Sequence, residues 1–316
     1  MLDILTTIVP LAIAYTSPLL IIALGGLFSE RSGVVNVGLE GLLGVGAFAG
    51  AIVTYLYGDA LGGATVYVSL LASVIAGGVF SLLHAFASIT MRADQVISGT
   101  AINILSSALT VFLSRSITNG KALIQITGLG NFDVPLLSKI PVIGPLFFSH
   151  VYTTTFIVIA IVTLSYYVLY YRPFGLRLRA CGENPQAADS LGINVVKVRY
   201  IGVILSGMLA GLGGGILLNT INREFSELTF TGMGFLALAA LIFGKWKPWS
   251  VAAAALFFGF AKTVADISML FESLKNINPG ILNTFPYVAT LFALVVFSKN
   301  AAGPRAAGEP YDPGKR

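Results

Sequence analysis

Whatever chemistry this chain performs falls to a few polar side chains set inside apolar runs. Asn36 and Glu40 lie in Asn36-Val37-Gly38-Leu39-Glu40-Gly41, with apolar sequence on both sides. Asp94, Gln95 and Asn103 open another apolar run, and Lys262 and Asp266 stand four residues apart in a third. Such groups are costly to desolvate and face a bundle interior or a solute pathway rather than lipid. Gly38 and Gly41 can break a helix near mid-membrane, where irregular backbone is tolerated only if it is buried in protein or lines a cavity. Asn36, Glu40, Gln95 and Asn103 are therefore candidates for hydrogen-bonding a passing solute, and helix–helix hydrogen bonding is the other reading. Lys262 and Asp266 can pair on one helix face, and a proton relay is the other role open to them.

The same residues point away from catalysis. No Gly-x-x-x-x-Gly-Lys-Ser/Thr run is present, so the chain itself is not expected to cradle ATP phosphates. The two histidines, His84 and His150, lack ligand-like spacing, and no metal site is expected. Gly211, Gly213, Gly214 and Gly215 could suggest a dinucleotide loop, but no strand precedes them. Gly207, Gly211 and Gly215 recur every four residues, the small-residue seam along which membrane helices approach closely, and Gly46 and Gly50 read the same way. The single cysteine, Cys181, cannot form an intrachain disulfide and is expected to be a reduced thiol.

These residues need long apolar elements to hold them. Of 316 residues, 56% are hydrophobic and 10% charged, with a mean hydropathy of +0.86. A soluble domain is about 25% charged, so lipid is the natural solvent here. A spanning helix needs roughly 20 apolar residues, and the chain has material for about eight to ten spans. The expected fold is all-α, a polytopic transmembrane helix bundle. Apolar runs cover 4–28, 34–57, 64–90, 96–114, 151–171, 200–219, 231–243, 249–268 and 285–298. Residues 1–298 thus read as a membrane domain, with 115–150 its longest stretch that is not a span. The Gly-, Pro- and charge-rich tail 299–316 is expected to be disordered and cytoplasmic.

Charge orients the chain. The net charge is +5, and its basic residues sit mainly in loops, which points to topology rather than to a nucleic acid polymer. Loop 172–199 carries Arg172, Arg177, Arg179, Lys197 and Arg199, which places it in the cytoplasm by the positive-inside rule. If each run crosses once, there are nine crossings and an outside N-terminus, and Lys245, Lys247 and the tail join loop 172–199. Phe28-Ser29-Glu30 and Phe225-Ser226-Glu227 each precede a Gly-rich apolar run five crossings apart, which is what two inverted repeats would give.

Loop 172–199 also holds a local structure signal. Asn184 can cap a helix whose first residue is Pro185, and Gly192 can stop it. The result is a two-turn helix flanked by basic residues, in a loop of 28 residues. That is long for a connector alone.

Gln186-Ala187-Ala188-Asp189-Ser190-Leu191-Gly192 resembles the coupling loop of ATP-binding-cassette importer permeases, Glu-Ala-Ala-x-x-x-Gly, with Gln for Glu and without the more distal apolar-Pro element. That departure fits the branch of branched-chain amino acid and simple-sugar permeases. Three further blocks are similar to the nucleoside and simple-sugar permeases of that branch and occur in the family's order. They are Ser29-Glu30-Arg31-Ser32-Gly33-Val34-Val35-Asn36-Val37-Gly38-Leu39-Glu40-Gly41, Asp94-Gln95-Val96-Ile97-Ser98-Gly99-Thr100-Ala101-Ile102-Asn103, and Gly234-Phe235-Leu236-Ala237-Leu238-Ala239-Ala240-Leu241-Ile242-Phe243-Gly244-Lys245-Trp246.

The resemblance implies a nucleoside-importing permease subunit in a prokaryotic cytoplasmic membrane. It implies a cytoplasmic ATPase that binds ATP and Mg, a second paralogous permease subunit, and an extracytoplasmic substrate-binding protein. No cofactor is expected on this chain. ATPase coupling falls to Glu183, Asn184, Gln186, Ala187, Ala188, Asp189 and Gly192, and the substrate pathway to Asn36, Glu40, Gln95 and Asn103. The same machine carrying a simple sugar such as ribose is the alternative cargo. An ion-coupled secondary transporter is the alternative class.

Overall fold

A computed structural model describes residues 2–226, 230–267, 284, 288, 303–312 and 314. Its helices are α1 (Leu2–Arg31), α2 (Leu39–Leu61), α3 (Thr65–Ala85), α4 (Gln95–Ile117), α5 (Ile143–Phe147), α6 (Thr153–Tyr171), α7 (Pro173–Glu183), α8 (Pro185–Ser190), α9 (Val195–Leu217), α10 (Met233–Phe243) and α11 (Pro248–Asp266). Two short strands, β1 (Ile124–Gln125) and β2 (Glu224–Phe225), pair antiparallel. Six helical stretches among the described residues are long and apolar enough to cross a membrane. One of them, Leu39–Thr90, is a hairpin, because α2 turns at Gly62–Ala64 and Gly50 comes to lie against Ser69 and Ser73 of α3. This is a multi-pass helical bundle, as the composition requires. Eight of the nine expected runs hold a helix, and the run 285–298 lies outside the described residues apart from Val288.

The bundle is built on α9, which packs against α1, α2 and α3. Glycine makes the approach possible. A Cβ on Gly207 would fall 2.5 Å from the Gly77 carbonyl oxygen of α3, and one on Gly215 would fall 2.5 Å from Ser73 Oγ. One on Gly46 of α2 would fall 2.5 Å from the Gly211 carbonyl oxygen. Helices in lipid associate by van der Waals contact and polar links rather than by a hydrophobic drive, so backbone-to-backbone contact is the main cohesive term. The four-residue glycine spacing is thus a packing seam. Asn219 at its outer end donates to Ser69 Oγ at 3.1 Å.

Between α1 and α2 the chain runs irregularly from Ser32 to Gly38. Gly33, at φ +94°, supplies the left-handed turn that starts it. Four side chains then satisfy its backbone. Gln95 Oε1 accepts from Val35 N at 2.6 Å, His84 Nε2 meets Val35 O at 3.1 Å, Asn36 Oδ1 accepts from Gly38 N at 3.1 Å, and Asn103 Nδ2 donates to Val37 O at 3.1 Å. A break inside the apolar region persists because these groups replace the missing helical bonds. Lys262 and Asp266 pair within α11 at 2.8 Å, the structural reading of that spacing.

The two ends of the bundle differ. At one end Thr6, Pro10 and Leu11 share a cleft with Ser149 and His150, which joins the N-terminal turns to the stretch before α6. At the other end Arg31 donates to the Trp246 carbonyl at 3.1 and 2.9 Å and faces Glu183 at 3.8 Å, so the turn after α10 lies beside loop 172–199. The basic loops therefore collect on one side, as the charge pattern predicts. Two expectations need correction here. Loop 172–199 holds two helices, α7 as well as the expected α8, because Pro173 starts a turn that Asn184 ends. The tail is not disordered over Gly303–Asp312: Ala306 N donates to Gly182 O at 2.9 Å, and Tyr311 is buried. Local composition misses this order because the tail's partners are far away in sequence.

Candidate functional site

Helices α2 and α10 both begin inside the bundle, and their first turns meet. A Cβ on Gly234 would lie 2.5 Å from Glu40 Cα, so glycine is required for the contact. Glu40 stands in the first turn of α2, and its Oε2 accepts from Gly232 N, the residue that caps α10, at 3.0 Å. A carboxylate at two helix N-termini is favoured by both helix dipoles, which offsets part of the cost of holding it in the apolar region.

Beside this junction is a cavity of about 180 Å³, lined by Glu40, Gly41 and Gly44 of α2 together with residues of α4 and the segment before α10. Helix α4 contributes Asn103, Ser106, Ser107 and Thr110. Asn103 holds the junction as well as lining it, since its Oδ1 accepts from Gly41 N at 2.7 Å while Nδ2 holds Val37 O. Ser106 Oγ donates to Gly41 O at 2.6 Å. Phe225 and Phe230 close the cavity with stacked rings 5.6 Å apart, and Phe48 packs edge-on against Phe225 at 5.4 Å. The pairing of β1 with β2 holds this roof, with Ile124 opposite Phe225. One wall is thus hydroxyl, amide and carboxylate, and the other is aromatic. Discontinuous helices that aim their N-termini into such a space are a recurrent way to bind a solute within a membrane.

Of the four sequence-derived pathway residues, Glu40 and Asn103 line the cavity. Asn36 and Gln95 do not. Asn36 is fully buried and donates to Ser206 Oγ of α9 at 2.9 Å, the helix–helix alternative. Gln95 is buried against Val35. Asp94 caps α4, accepting from Val96 N and Ile97 N at 2.8 and 2.9 Å. Ser106, Ser107 and Thr110 were missed, although they follow Asn103 at helical spacing and form a polar stripe that periodicity could have shown. Phe225 sits in the two-residue strand β2 and Phe230 in the turn before α10, and neither carries such a signal.

The second feature is the knob made by α7 and α8. Asn184 Oδ1 accepts from Ala187 N at 3.0 Å, Pro185 occupies the first turn of α8, and Gly192 takes φ +80° in open space. Pro185 and Ala188 are buried, while Glu183, Gln186, Ala187, Asp189 and Leu191 face outward, Leu191 being 82% exposed. Gly182 seats the knob on the break: a Cβ there would lie 3.0 Å from the Arg31 carbonyl carbon and 3.3 Å from Gly33 N. Among the described residues no cluster of His, Cys, Asp and Glu could hold a metal ion.

Residues 9–297 match the model of the branched-chain amino acid transport system / permease component family. The chain belongs to that family. It is 47% identical to the guanosine ABC transporter permease protein NupQ of Bacillus subtilis (strain 168), over 99% of this chain and 99% of that one. It is 42% identical to the nucleoside ABC transporter permease protein NupC of Lactococcus lactis subsp. cremoris (strain MG1363), over 97% of each. The putative glucose ABC transporter permease protein TsgC13 of Haloferax volcanii is 32% identical over 87% of each. Members of this family are membrane permease components, so the family places ATP hydrolysis on a separate subunit.

Proposed function

We propose that this chain is a permease subunit of an ATP-binding-cassette importer that carries nucleosides across the cytoplasmic membrane through the Glu40 cavity. The observation that carries the cargo class is the two-sided lining of that cavity. Phe225 and Phe230 offer rings for a base, while Asn103, Ser106, Thr110 and Glu40 offer hydrogen-bonding groups for ribose hydroxyls. Similarity along nearly the whole chain to guanosine and nucleoside permeases, at 47% and 42% identity, supports the same class.

At about 180 Å³ the cavity is smaller than the roughly 300 Å³ at which pockets for drug-sized molecules begin. It must widen to pass a nucleoside. The α2–α3–α9 seam does not border the cavity, so the widening falls to α4 and α10 beyond their close contacts with α2 at Gly41 and Gly234. The energy comes from a partner ATPase holding ATP and Mg, with a second, paralogous permease subunit and an extracytoplasmic binding protein completing the complex. The exposed face of α8 is the seat for the ATPase, through Gln186, Ala187, Asp189 and Leu191.

The test is ATP-dependent uptake of labelled guanosine by the whole transporter, with excess ribose as competitor. Uptake that resists ribose is the expected result. Accumulation of ribose in place of guanosine would move the cargo to simple sugars, the reading favoured by the glucose permease relative. Leu191→Asp alters a fully displayed side chain and should leave the chain folded while lowering uptake about tenfold, equivalent to roughly 1.4 kcal/mol of lost ATPase engagement. Full uptake by that variant would overturn the docking role of α8.

A further inference from the structure

The tail segment Gly303–Asp312 crosses the end of the bundle that carries the knob, and its contacts add a second link between elements that already meet there. Gly303 lies on the Trp246 ring between α10 and α11, where a Cβ would fall 3.0 Å from Cη2. Ala306 N donates to Gly182 O at the end of α7, at 2.9 Å. Gly308 faces Val35 in the break, where a Cβ would meet Val35 Cγ2 at 3.7 Å. Glu309 O accepts from Arg199 Nη1 at 3.1 Å, and the Arg199 guanidinium lies 5.8 Å from the Tyr311 ring centroid. Tyr311 shares a cleft with Asp189 and Gly192 at the end of α8. Asp312 pairs with Arg92, between α3 and α4, at 3.1 Å.

Arg199 is the unusual member of this set. It is 1% exposed, and its Nε and Nη2 have no hydrogen-bond partner among the described residues. A buried guanidinium with no carboxylate in direct ion-pair contact among the described residues, Glu309 acting on it only from further off, is expensive to hold. Its surroundings include a tail carbonyl, which takes its one hydrogen bond among the described residues, and a tail aromatic ring, so the tail covers part of this charge. The segment is thus a closure over a site that favours opening, which is the property of a two-state element rather than of a static brace.

We propose that Gly303–Asp312 is a latch that fastens the α7–α8 knob to the break between α1 and α2, so that displacement of the knob is delivered to the Glu40 cavity. The proposal rests on the docking role of α8 proposed above. The route is short: the knob seats on Arg31 and Gly33 through Gly182, the latch holds Gly182 and faces Val35, and the break leads into Asn36, Gly38 and the first turn of α2. With the latch open, the knob would keep only its direct contacts with the break, at Gly182 and between Arg31 and Glu183, and would carry it less firmly.

Cys181 provides a readout that does not depend on cargo. It is the sole cysteine, is fully buried, and lies next to Gly182 in the same apolar cluster as Tyr311. Burial pushes its thiol up to about 11, an effect that Arg199 partly opposes. Alkylation by a maleimide should therefore be slow in the closed state.

The experiment compares the intact transporter with Tyr311→Ala and Tyr311→Phe, measuring the rate of Cys181 alkylation and the nucleoside imported per ATP hydrolysed. Tyr311→Ala is expected to raise the alkylation rate roughly tenfold, the effect of local opening made easier by one factor of ten. It should also lower import per ATP about fivefold. Tyr311→Phe keeps the ring beside Arg199 but loses the hydroxyl's hydrogen bond to Asp189 of the knob, and should fall between wild type and Tyr311→Ala in both readouts. Should Tyr311→Ala fail to reach the membrane, Asp312→Arg, which sets like charges against Arg92 on the surface, should give the same two changes in smaller degree. Unchanged alkylation together with unchanged import per ATP in both variants would overturn the latch while Leu191→Asp remained defective. Normal import by Leu191→Asp would remove the docking role of α8, and the latch's coupling role with it, whatever Cys181 does.

Discussion

Helix α2 has two sides that use the same residue type to opposite ends. On the side facing α9 and α3, Gly46 meets the backbone of α9 and Gly50 the hydroxyls of Ser69 and Ser73 on α3, and a Cβ at either would fall within 2.8 Å of a neighbouring oxygen. On the side facing α4, a Cβ at Gly44 would meet only Ser106 Oγ, at 3.4 Å, and Gly44 lines the cavity. The missing side chain is a means of contact in one case and of room in the other. A membrane bundle that must change shape needs both, because close-packed interfaces deform only by jumping between arrangements. The seam supplies a fixed frame, and the space beside Gly44, beyond the close α2–α4 contact at Gly41, supplies a place where helices can part.

The largest effect should come from breaking the seam. Gly46→Val would drive a branched side chain into the backbone of α9 at Gly211, and the cost should exceed about 3 kcal/mol, the upper end of ordinary overpacking. The expected outcome is loss of the chain from the membrane fraction and of the complex on purification. Normal assembly of Gly46→Val would mean that α2 and α9 are not in contact there.

Next in size is Glu40→Ala on the open side. It removes a charged acceptor from Gly232 N, an interaction of about 1.5–3 kcal/mol, but leaves the seam intact. Uptake per assembled complex should fall roughly tenfold or more, with the yield of complex near normal. If yield collapses and uptake per surviving complex is unchanged, the carboxylate is a structural tie between α2 and α10 and not part of the passage.

The same contrast separates what the sequence made legible from what it hid. The seam was readable, because helical spacing alone puts Gly207, Gly211 and Gly215 on one face. So was the α8 knob, since Asn184, Pro185 and Gly192 act on their own local backbone. The break between α1 and α2 was readable in outline from Gly38 and Gly41. The division of labour among the polar residues was not. Asn36 and Gln95 stitch while Glu40 and Asn103 line, and that depends on Ser206, Val35 and Gly232, which only the fold brings near. The latch was misread for a related reason. A segment rich in Gly, Pro and charge resembles a solvated tail until a buried Arg199, more than a hundred residues earlier, is seen waiting for its carbonyl.

The smallest effect, and the sharpest on the comparison, belongs to Gly44→Ala. The added methyl meets Ser106 Oγ at 3.4 Å, an ordinary contact, so nothing must move to admit it. In a helix interior alanine is favoured over glycine by up to about 1 kcal/mol, so the complex should melt at the same temperature or slightly higher. The methyl points into a cavity of about 180 Å³ and takes part of the space a nucleoside must enter. The concentration for half-maximal uptake should therefore rise by roughly twofold to threefold, less than 1 kcal/mol. Stability and transport then move in opposite directions at Gly44 and fall together at Gly46, two residues further along one helix. Should Gly44→Ala destabilise the complex as Gly46→Val does, the open side of α2 is not open. Should even Gly44→Leu leave uptake unchanged, nucleosides cross by another route.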